Sequence, residues 1–127
     1  MHQRVKERIP FDERKSLSQK LLTKRTDFVP IIVELEDNCQ LEIRKQQFFV
    51  SEQAKISDFL QTLIKNYIGV SDLKPINHVS LKIETPNKII QPSHDSTLYD
   101  LYTLYKDEDG FLYFVLFEES AFGSFVC

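Results

Sequence analysis

The clearest periodic pattern in the chain predicts an amphipathic helix near its centre. Residues three and four apart share one face of an α-helix, so such a stripe should pack against a sheet or a second helix. Ser57 and Asp58 near the start, and Gly69 after the end, are typical of helix boundaries. The stripe consists of Ile56, Phe59, Leu60, Leu63, Ile64 and Tyr67.

Four other segments have the apolar patterning of β-strands. FVPIIVELE begins the first, at residue 28, and KQQFFV (45–50) reads as its paired strand. HVSLKI (78–83) alternates apolar and polar positions, whereas FLYFVLF (111–117) is apolar throughout. Because a strand buried on both faces has such a continuous run, we expect this last one to be central in a sheet.

The first strand predicts an uncovered apolar surface. Val29, Ile31, Val33 and Leu35 lie on one face, and Phe28, Pro30 and Ile32 lie on the other. Pro30 has no N–H for a ladder, so we expect its N–H side at a sheet edge or a strand start. An edge strand whose second face is apolar must be covered or must bind a partner.

Helices are predicted on both sides of this strand region. Pro10 suits a helix start, and the segment from Phe11 to about Arg25 follows it, with a short basic helix before it. A second helix covers about 97–106, where Thr97 and Asp100 form a capping pair, and Asp109-Gly110 then predicts a turn. The order helix, helix, ββαβ, helix, β is that of an α+β domain of the β-grasp type with a four-stranded mixed sheet. The N-terminal helices should cover part of its second face and leave the rest for a partner.

Composition supports one globular domain of 127 residues, because 42% of the residues are apolar and 28% are charged. The longest apolar run, residues 111–117, is too short to span a bilayer, and the charged start lacks the apolar core of a signal peptide. Two cysteines, Cys39 and Cys127, are too few for a disulfide framework or a zinc site, so no metal is expected. A reduced, cytoplasmic protein is the resulting expectation.

Charge is distributed unevenly along the chain. Residues 1–25 carry eight basic and three acidic side chains, and the remainder carries eight basic and sixteen acidic ones. The favoured interpretation is a solvated helical segment. The alternative is a basic face for an anionic membrane or an acidic cytoskeletal surface such as microtubules. Aromatic residues are not spaced among these bases, so no nucleic-acid partner is expected.

Several stretches together resemble the autophagy ubiquitin-like modifiers of the GABARAP and microtubule-associated light-chain family. They are IPFDERKS, VPIIVE, KQQFFV, ISDFLQTLIK, YKDEDGFLYF and ESAFG, and they span nearly the whole chain. The resemblance implies a ubiquitin-like β-grasp modifier and not an enzyme. It divides the chain into a helical extension (1–25), the β-grasp domain (26–123) and a removable tail (124–127).

The resemblance also implies how such a modifier is used. A dedicated cysteine protease cuts after Phe122-Gly123, and activating and conjugating enzymes then join Gly123 to phosphatidylethanolamine. No other cofactor is implied, and the protein moves from the cytoplasm to the autophagosomal membrane. A residue without Cβ is also what a carboxylate needs if it must enter narrow enzyme clefts, although glycine is common in frayed termini.

Family members bind cargo-receptor peptides of the form aromatic-x-x-aliphatic by strand addition at a sheet edge. By resemblance Lys45 contacts a peptide acid. The aromatic pocket corresponds to Leu21, Pro30, Ile32, Phe49 and Phe111, and the aliphatic pocket to Phe48, Val50, Phe59 and Leu63. For Phe59, Leu63 and Phe111 an ordinary core position is an equal alternative. Pro30 and Ile32 are favoured, because alternation turns them away from the main core.

Departures from the family pattern predict an altered peptide preference. Gln47 and Asn66 stand where a basic residue is usual, and Thr62 stands where an apolar one is expected. Fewer charges at the rim should weaken selection for acidic residues beside the peptide. The alternative function is a β-grasp peptide-binding domain that is never conjugated. A thiol enzyme has only two separate cysteines in its favour.

Overall fold

The computed structural model describes residues 4–37, 41–70 and 78–119, with the side chains of Val70, His78 and Glu119 left aside. It contains four helices and seven strands within these ranges. The helices are α1 (Val5–Arg8), α2 (Phe11–Lys24), α3 (Ile56–Asn66) and α4 (Leu98–Tyr105). The strands are β1 (Phe28–Leu35), β2 (Leu41–Ile43), β3 (Gln47–Ser51), β4 (Ile68–Val70), β5 (His78–Glu84), β6 (Ile89–Ile90) and β7 (Leu112–Glu119).

The predicted α+β architecture with a mixed sheet is confirmed. The main sheet has the order β3-β1-β7-β5-β6, with β7 central as expected from its continuous apolar run. β1 is parallel to β7, and the other pairings are antiparallel. The sheet has five strands and not four, and β2 and β4 form a separate pair. The strands missed by the sequence prediction have two or three residues, too few for an alternating pattern to be recognised.

Of the two settings predicted for Pro30, the sheet edge is wrong, because β1 lies between β3 and β7, whereas the strand start agrees with its position before the β1–β7 pairing. Val33 N donates to the Gln46 carbonyl at 2.8 Å, which fixes the alternation of the β1–β3 ladder. Pro30, opposite Phe49, therefore turns its nitrogen away from β3. Pairing with β7 begins only at Ile31, so the absent N–H of Pro30 costs no ladder hydrogen bond.

The main core lies between the sheet and the helices α3 and α4. Ile31 and Val33 of β1 and Leu116 of β7 are fully buried there. The first four residues of the predicted α3 stripe are also buried, and Ile64 and Tyr67 are partly buried. Aromatic rings connect the layers, since Phe59 lies 5.5 Å from the ring of Phe48. Gly69 follows the end of α3, as predicted, and lies within β4.

The second face of the sheet is covered by α1 and α2, as the apolar first strand predicted. Val5, Ile32 and Phe111 form a buried cluster. The half-buried side chains packed against it are Ile9, Leu17, Leu21 and Tyr113. The alternation of β1 is thus confirmed, with Ile32 on the face opposite to Ile31.

A buried carboxylate, Asp109, holds α2 against the turn before β7. Arg14 Nη1 and the Tyr113 hydroxyl each donate to Asp109 Oδ2 at 2.5 Å, and Phe111 N donates to Oδ1 at 2.9 Å. Ser18 of α2 donates to the Asp109 carbonyl. Asp109 has no exposed surface. The three donors to its carboxylate therefore take the place of the water molecules that a carboxylate loses on burial.

A second buried acid, Glu34 of β1, holds the start of α1. Its Oε2 accepts a hydrogen bond from Val5 N at 2.7 Å, and Arg4 Nη1 lies 3.5 Å from its Oε1. The first turn of a helix has backbone N–H groups without intrahelical partners, and a carboxylate is a favourable acceptor for them. Both N-terminal helices are therefore attached to the sheet through polar contacts as well as apolar packing.

The turn at Gly110 provides a test of this attachment. Gly110 has φ +92°, and a Cβ there would overlap Ser18 Oγ. We expect Gly110→Ala to lower the free energy of unfolding by about 1–3 kcal/mol, measured by urea denaturation. Gly69→Ala is the matched control, because its added Cβ meets nothing nearer than 3.5 Å. Equal destabilisation by both substitutions would contradict this account of the turn.

The phenol of Tyr113 gives the fold a dependence on alkaline pH. Burial raises the pKa of Tyr113, and the hydrogen bond to Asp109 raises it further. Since the folded state favours the neutral phenol, the stabilisation is complete below pH about 10 and is lost as the pH rises towards the folded pKa. We expect unfolding measured from pH 8 to 11 to show a steeper alkaline loss in the parent protein than in Tyr113→Phe. Tyr99→Phe, at an exposed position, should behave like the parent.

Candidate functional site

A groove of about 270 Å³ lies between β3 and α3. β3 is the first strand in the order of the sheet, so its outer side has no strand neighbour among the described residues. The groove is therefore adjacent to a free sheet edge. Its lining residues are Lys45, Phe48, Phe49, Val50, Ala54, Asp58, Phe59, Thr62 and Tyr67.

The backbone of β3 has hydrogen-bonding groups directed away from the sheet. The 2.8 Å hydrogen bond from Val33 N to Gln46 places Gln46, Phe48 and Val50 in the hydrogen-bonded pairs with β1. The N–H and C=O groups of the intervening residues, Gln47 and Phe49, consequently point outward. An extended peptide beside β3 would find donors and acceptors at every second residue.

Aromatic side chains form the apolar part of the groove. The buried ring of Phe48 packs edge to face on Phe59 at 5.5 Å and on Tyr67 at 5.3 Å. Phe49 alternates with Phe48 along β3, so its half-buried side chain lies on the opposite face of the sheet, 5.3 Å from the ring of Phe28, and it borders the groove through the strand backbone. Rings fixed in this way present a preformed apolar surface, and a bound side chain does not have to order them.

Two charged side chains border this apolar surface. Lys45 Nζ lies over the rings of Phe48 and Tyr67, 5.1 and 5.7 Å from their centroids. Asp58 lies in the first turn of α3, and both charged side chains are exposed. The groove thus combines apolar contact, backbone hydrogen bonding and two charges of opposite sign.

The structure brings together one part of the predicted peptide site. Lys45, Phe48, Phe49, Val50 and Phe59 all line the groove. Leu63, assigned with them by resemblance, has no exposed surface and lies in the main core. The sequence prediction missed four lining residues, although Tyr67 belongs to the same helical stripe and Thr62 had been noted as a departure. These four are Ala54, Asp58, Thr62 and Tyr67.

The remaining predicted residues are not brought to this groove. Ile32 and Phe111 are 4% and 1% exposed and lie beneath the N-terminal helices, where half-buried Leu21 packs on them. Pro30 is fully buried in β1. The N-terminal helices cover Ile32 and Phe111, so a ligand would have to displace these helices to reach the two side chains.

The predicted cleavage position falls outside the described residues. Phe122 and Gly123 follow β7, whose last residue is Glu119. The domain boundaries at residues 25 and 123, and the tail 124–127, also stay predictions.

A second groove lies at the opposite edge of the sheet, between β6 and α4. It has a volume of about 490 Å³, and Ile90, Tyr99, Leu101 and Leu104 contribute apolar surface to it. Tyr99 is 52% exposed and Leu104 is 69% exposed. Two apolar grooves therefore border this sheet, one beside each edge strand.

Two searches of the described part of the chain gave negative results. Among residues 4–37, 41–70 and 78–119, none of the helices has the length and hydropathy needed to cross a membrane. The same residues contain no group of three or more His, Cys, Asp or Glu side chains that could hold a metal ion.

Comparisons with known proteins agree with this fold. The family model described as "Autophagy protein Atg8 ubiquitin like" matches residues 13–123. An autophagy-related protein 8-like protein of Dictyostelium discoideum is 32% identical over 120 residues, covering 94% of this chain and 92% of the relative. Autophagy-related protein 8 of the same organism is 30% identical over 116 residues, covering 91% and 89%.

Solved structures with the same fold include two protozoan proteins. ATG8 of Trypanosoma brucei superposes with a TM-score of 0.69 at 26% identity, covering 91% of this chain and 94% of that one. Plasmodium falciparum Atg8, solved in complex with a P. falciparum Atg3 peptide, has a TM-score of 0.75 at 24% identity, covering 98% and 100%. The second likeness is one of fold alone.

Proposed function

Because the chain belongs to the Atg8 family of ubiquitin-like autophagy proteins, we propose that it is a modifier processed after Gly123 and conjugated to phosphatidylethanolamine. In this role it performs no chemistry of its own. It acts as an adaptor on the autophagosomal membrane and binds peptides through the groove between β3 and α3. Before lipidation it resides in the cytoplasm.

The position of Gly123 supports the conjugation step. The family match ends at residue 123, so this glycine is the last residue that the chain shares with the family model.

The free edge of β3 beside an apolar groove is the observation that carries the adaptor function. Strand addition gives affinity through backbone hydrogen bonds, and a pocket beside the edge gives specificity through side chains. Outward-facing backbone groups at Gln47 and Phe49 and the ring surface of Phe48 provide both elements.

The partners follow from these two steps. They are a processing cysteine protease, the activating and conjugating enzymes of the cascade, and cargo receptors with short aromatic-x-x-aliphatic motifs. The Plasmodium falciparum Atg8 was solved with an Atg3 peptide, which illustrates a peptide complex in a protein of this fold. The basic segment 1–25 could also contact anionic lipid once the domain is tethered.

An alternative function is a peptide-binding domain that is never conjugated. It uses the same groove but leaves residues 124–127 in place. The intact mass of the protein isolated from cells distinguishes the two functions, because conjugation requires loss of these four residues followed by gain of a lipid.

Substitution of the glycine tests the conjugation step. We expect Gly123→Ala to reduce both cleavage and lipidation more than tenfold, because a methyl group at the reacting residue obstructs the enzyme clefts. Intact mass after incubation with the family protease, and membrane flotation of cell extracts, measure the two steps. Ser124→Ala, which keeps the glycine, is the control. Normal cleavage and flotation of Gly123→Ala would refute the proposal.

Substitution in the groove tests peptide binding. We expect Tyr67→Ala, which removes a ring from the groove lining, to weaken binding of an acetylated and amidated aromatic-x-x-aliphatic peptide about tenfold, since a well-packed aromatic contact is commonly worth 1–2 kcal/mol or more. Leu104→Ala, at the opposite groove, should leave the affinity unchanged. Fluorescence anisotropy gives the affinities, and circular dichroism verifies that each variant is folded. An unchanged affinity in Tyr67→Ala would remove peptide binding from this groove.

A further inference from the structure

The groove between β3 and α3 has side chains of opposite charge at its two ends. Lys45 lies two residues before β3 begins, and its Nζ stands over the ring of Tyr67, just past the end of α3. Asp58 belongs to the first turn of α3, and that turn lies near the end of β3, because α3 begins five residues after Ser51. A positive charge thus borders the start of β3, and a negative charge borders its end.

Both charges are available to a partner. Within the described ranges, neither Lys45 nor Asp58 takes part in an ion pair with an opposite charge inside 4.0 Å. Thr62 Oγ1 donates to the backbone carbonyl of Asp58 at 3.0 Å, which leaves the carboxylate itself uncommitted. Lys45 interacts with aromatic faces, and these hold the ammonium group at the groove without neutralising it.

We infer that the groove selects an extended peptide with a carboxylate facing Lys45 and a cation facing Asp58, on either side of one apolar anchor. This inference rests on the peptide-binding function proposed above and adds an order of charges to it. Strand β3 spans Gln47–Ser51, about 13 Å at 3.3 Å per residue. The two peptide charges should therefore lie about four residues apart.

The order of the two charges is expected to matter for a physical reason. A peptide of reversed sequence places like charges together at both ends of the groove. If it turns around to avoid this, it must exchange a parallel ladder for an antiparallel one, in which the hydrogen bonds are spaced differently. Exposed ion pairs are each worth about a two- to fivefold change in affinity. We expect about fivefold discrimination between the two orders.

The experiment uses two peptides of identical composition, acid-x-anchor-x-base and base-x-anchor-x-acid. Their termini are acetylated and amidated so that no terminal charge contributes. Dissociation constants are measured by fluorescence anisotropy at low and at high salt, because screening should reduce the discrimination. The preferred order also reports whether the peptide runs parallel or antiparallel to β3.

A double charge reversal gives the decisive variant. Lys45→Glu with Asp58→Lys keeps the net charge of the protein and should invert the preference between the two peptides. Lys88→Glu with Asp12→Lys is the matched control, because both positions are exposed and outside the groove, and Asp12 also lies in the first turn of a helix. The control should retain the preference of the parent. Thermal unfolding verifies that both double variants are folded.

Equal binding of the two peptides to the parent protein, or an unchanged preference in the Lys45→Glu, Asp58→Lys variant, would overturn the inference. If Tyr67→Ala still weakens binding about tenfold in that case, the peptide-binding function stands and the charge order alone fails. If neither peptide binds the parent protein, both the function and this inference are wrong.

Discussion

Strands β1 and β7 carry apolar side chains on both faces of the sheet, and the whole architecture answers the need to cover them. Helices α3 and α4 bury one face, where Ile31 and Leu116 lie. Helices α1 and α2 bury the other, where Ile32 and Phe111 lie. The helices on the two faces determine which surfaces of the sheet stay accessible to a partner. The outer edge of β3 keeps free backbone groups, and the groove beside it keeps an apolar surface.

The cover on the second face is fixed by charged groups at two defined positions. Glu34 lies on β1 and Asp109 lies in the turn that leads into β7, so the N-terminal helices are attached to one of the strands that they cover and to the start of the other. A buried acid deprived of its partner is strongly destabilising, whereas the intact arrangement adds little beyond apolar packing. These contacts therefore affect the position of the helices more than they affect the free energy of unfolding of the domain.

The long elements could be predicted from the sequence because each contains several periods of its pattern. The stripe from Ile56 to Tyr67 and the apolar run 111–117 identified α3 and the central strand correctly. Strands β2, β4 and β6 could not be predicted, since strands of two or three residues show no alternation. Phe59 and Leu63 belong to one helical stripe, and periodicity does not say that Phe59 borders the groove while Leu63 lies in the core. The sequence pattern predicts Asp58 at the start of a helix, and it contains no information on the position of Asp58 in the lining of the groove.

The position of β7 in the sheet has a consequence for biosynthesis. β1 and β5 do not pair with each other, and β7 joins them, with Ile31 opposite Leu112 and Leu81 opposite Leu116. A ribosome makes β7 after every other described strand, so β1 and β5 emerge with unpaired backbone groups and apolar faces. Pairings between such distant segments form slowly, and exposed edges invite association with other chains. The nascent polypeptide therefore keeps apolar faces and unpaired strand edges exposed until β7 joins the sheet.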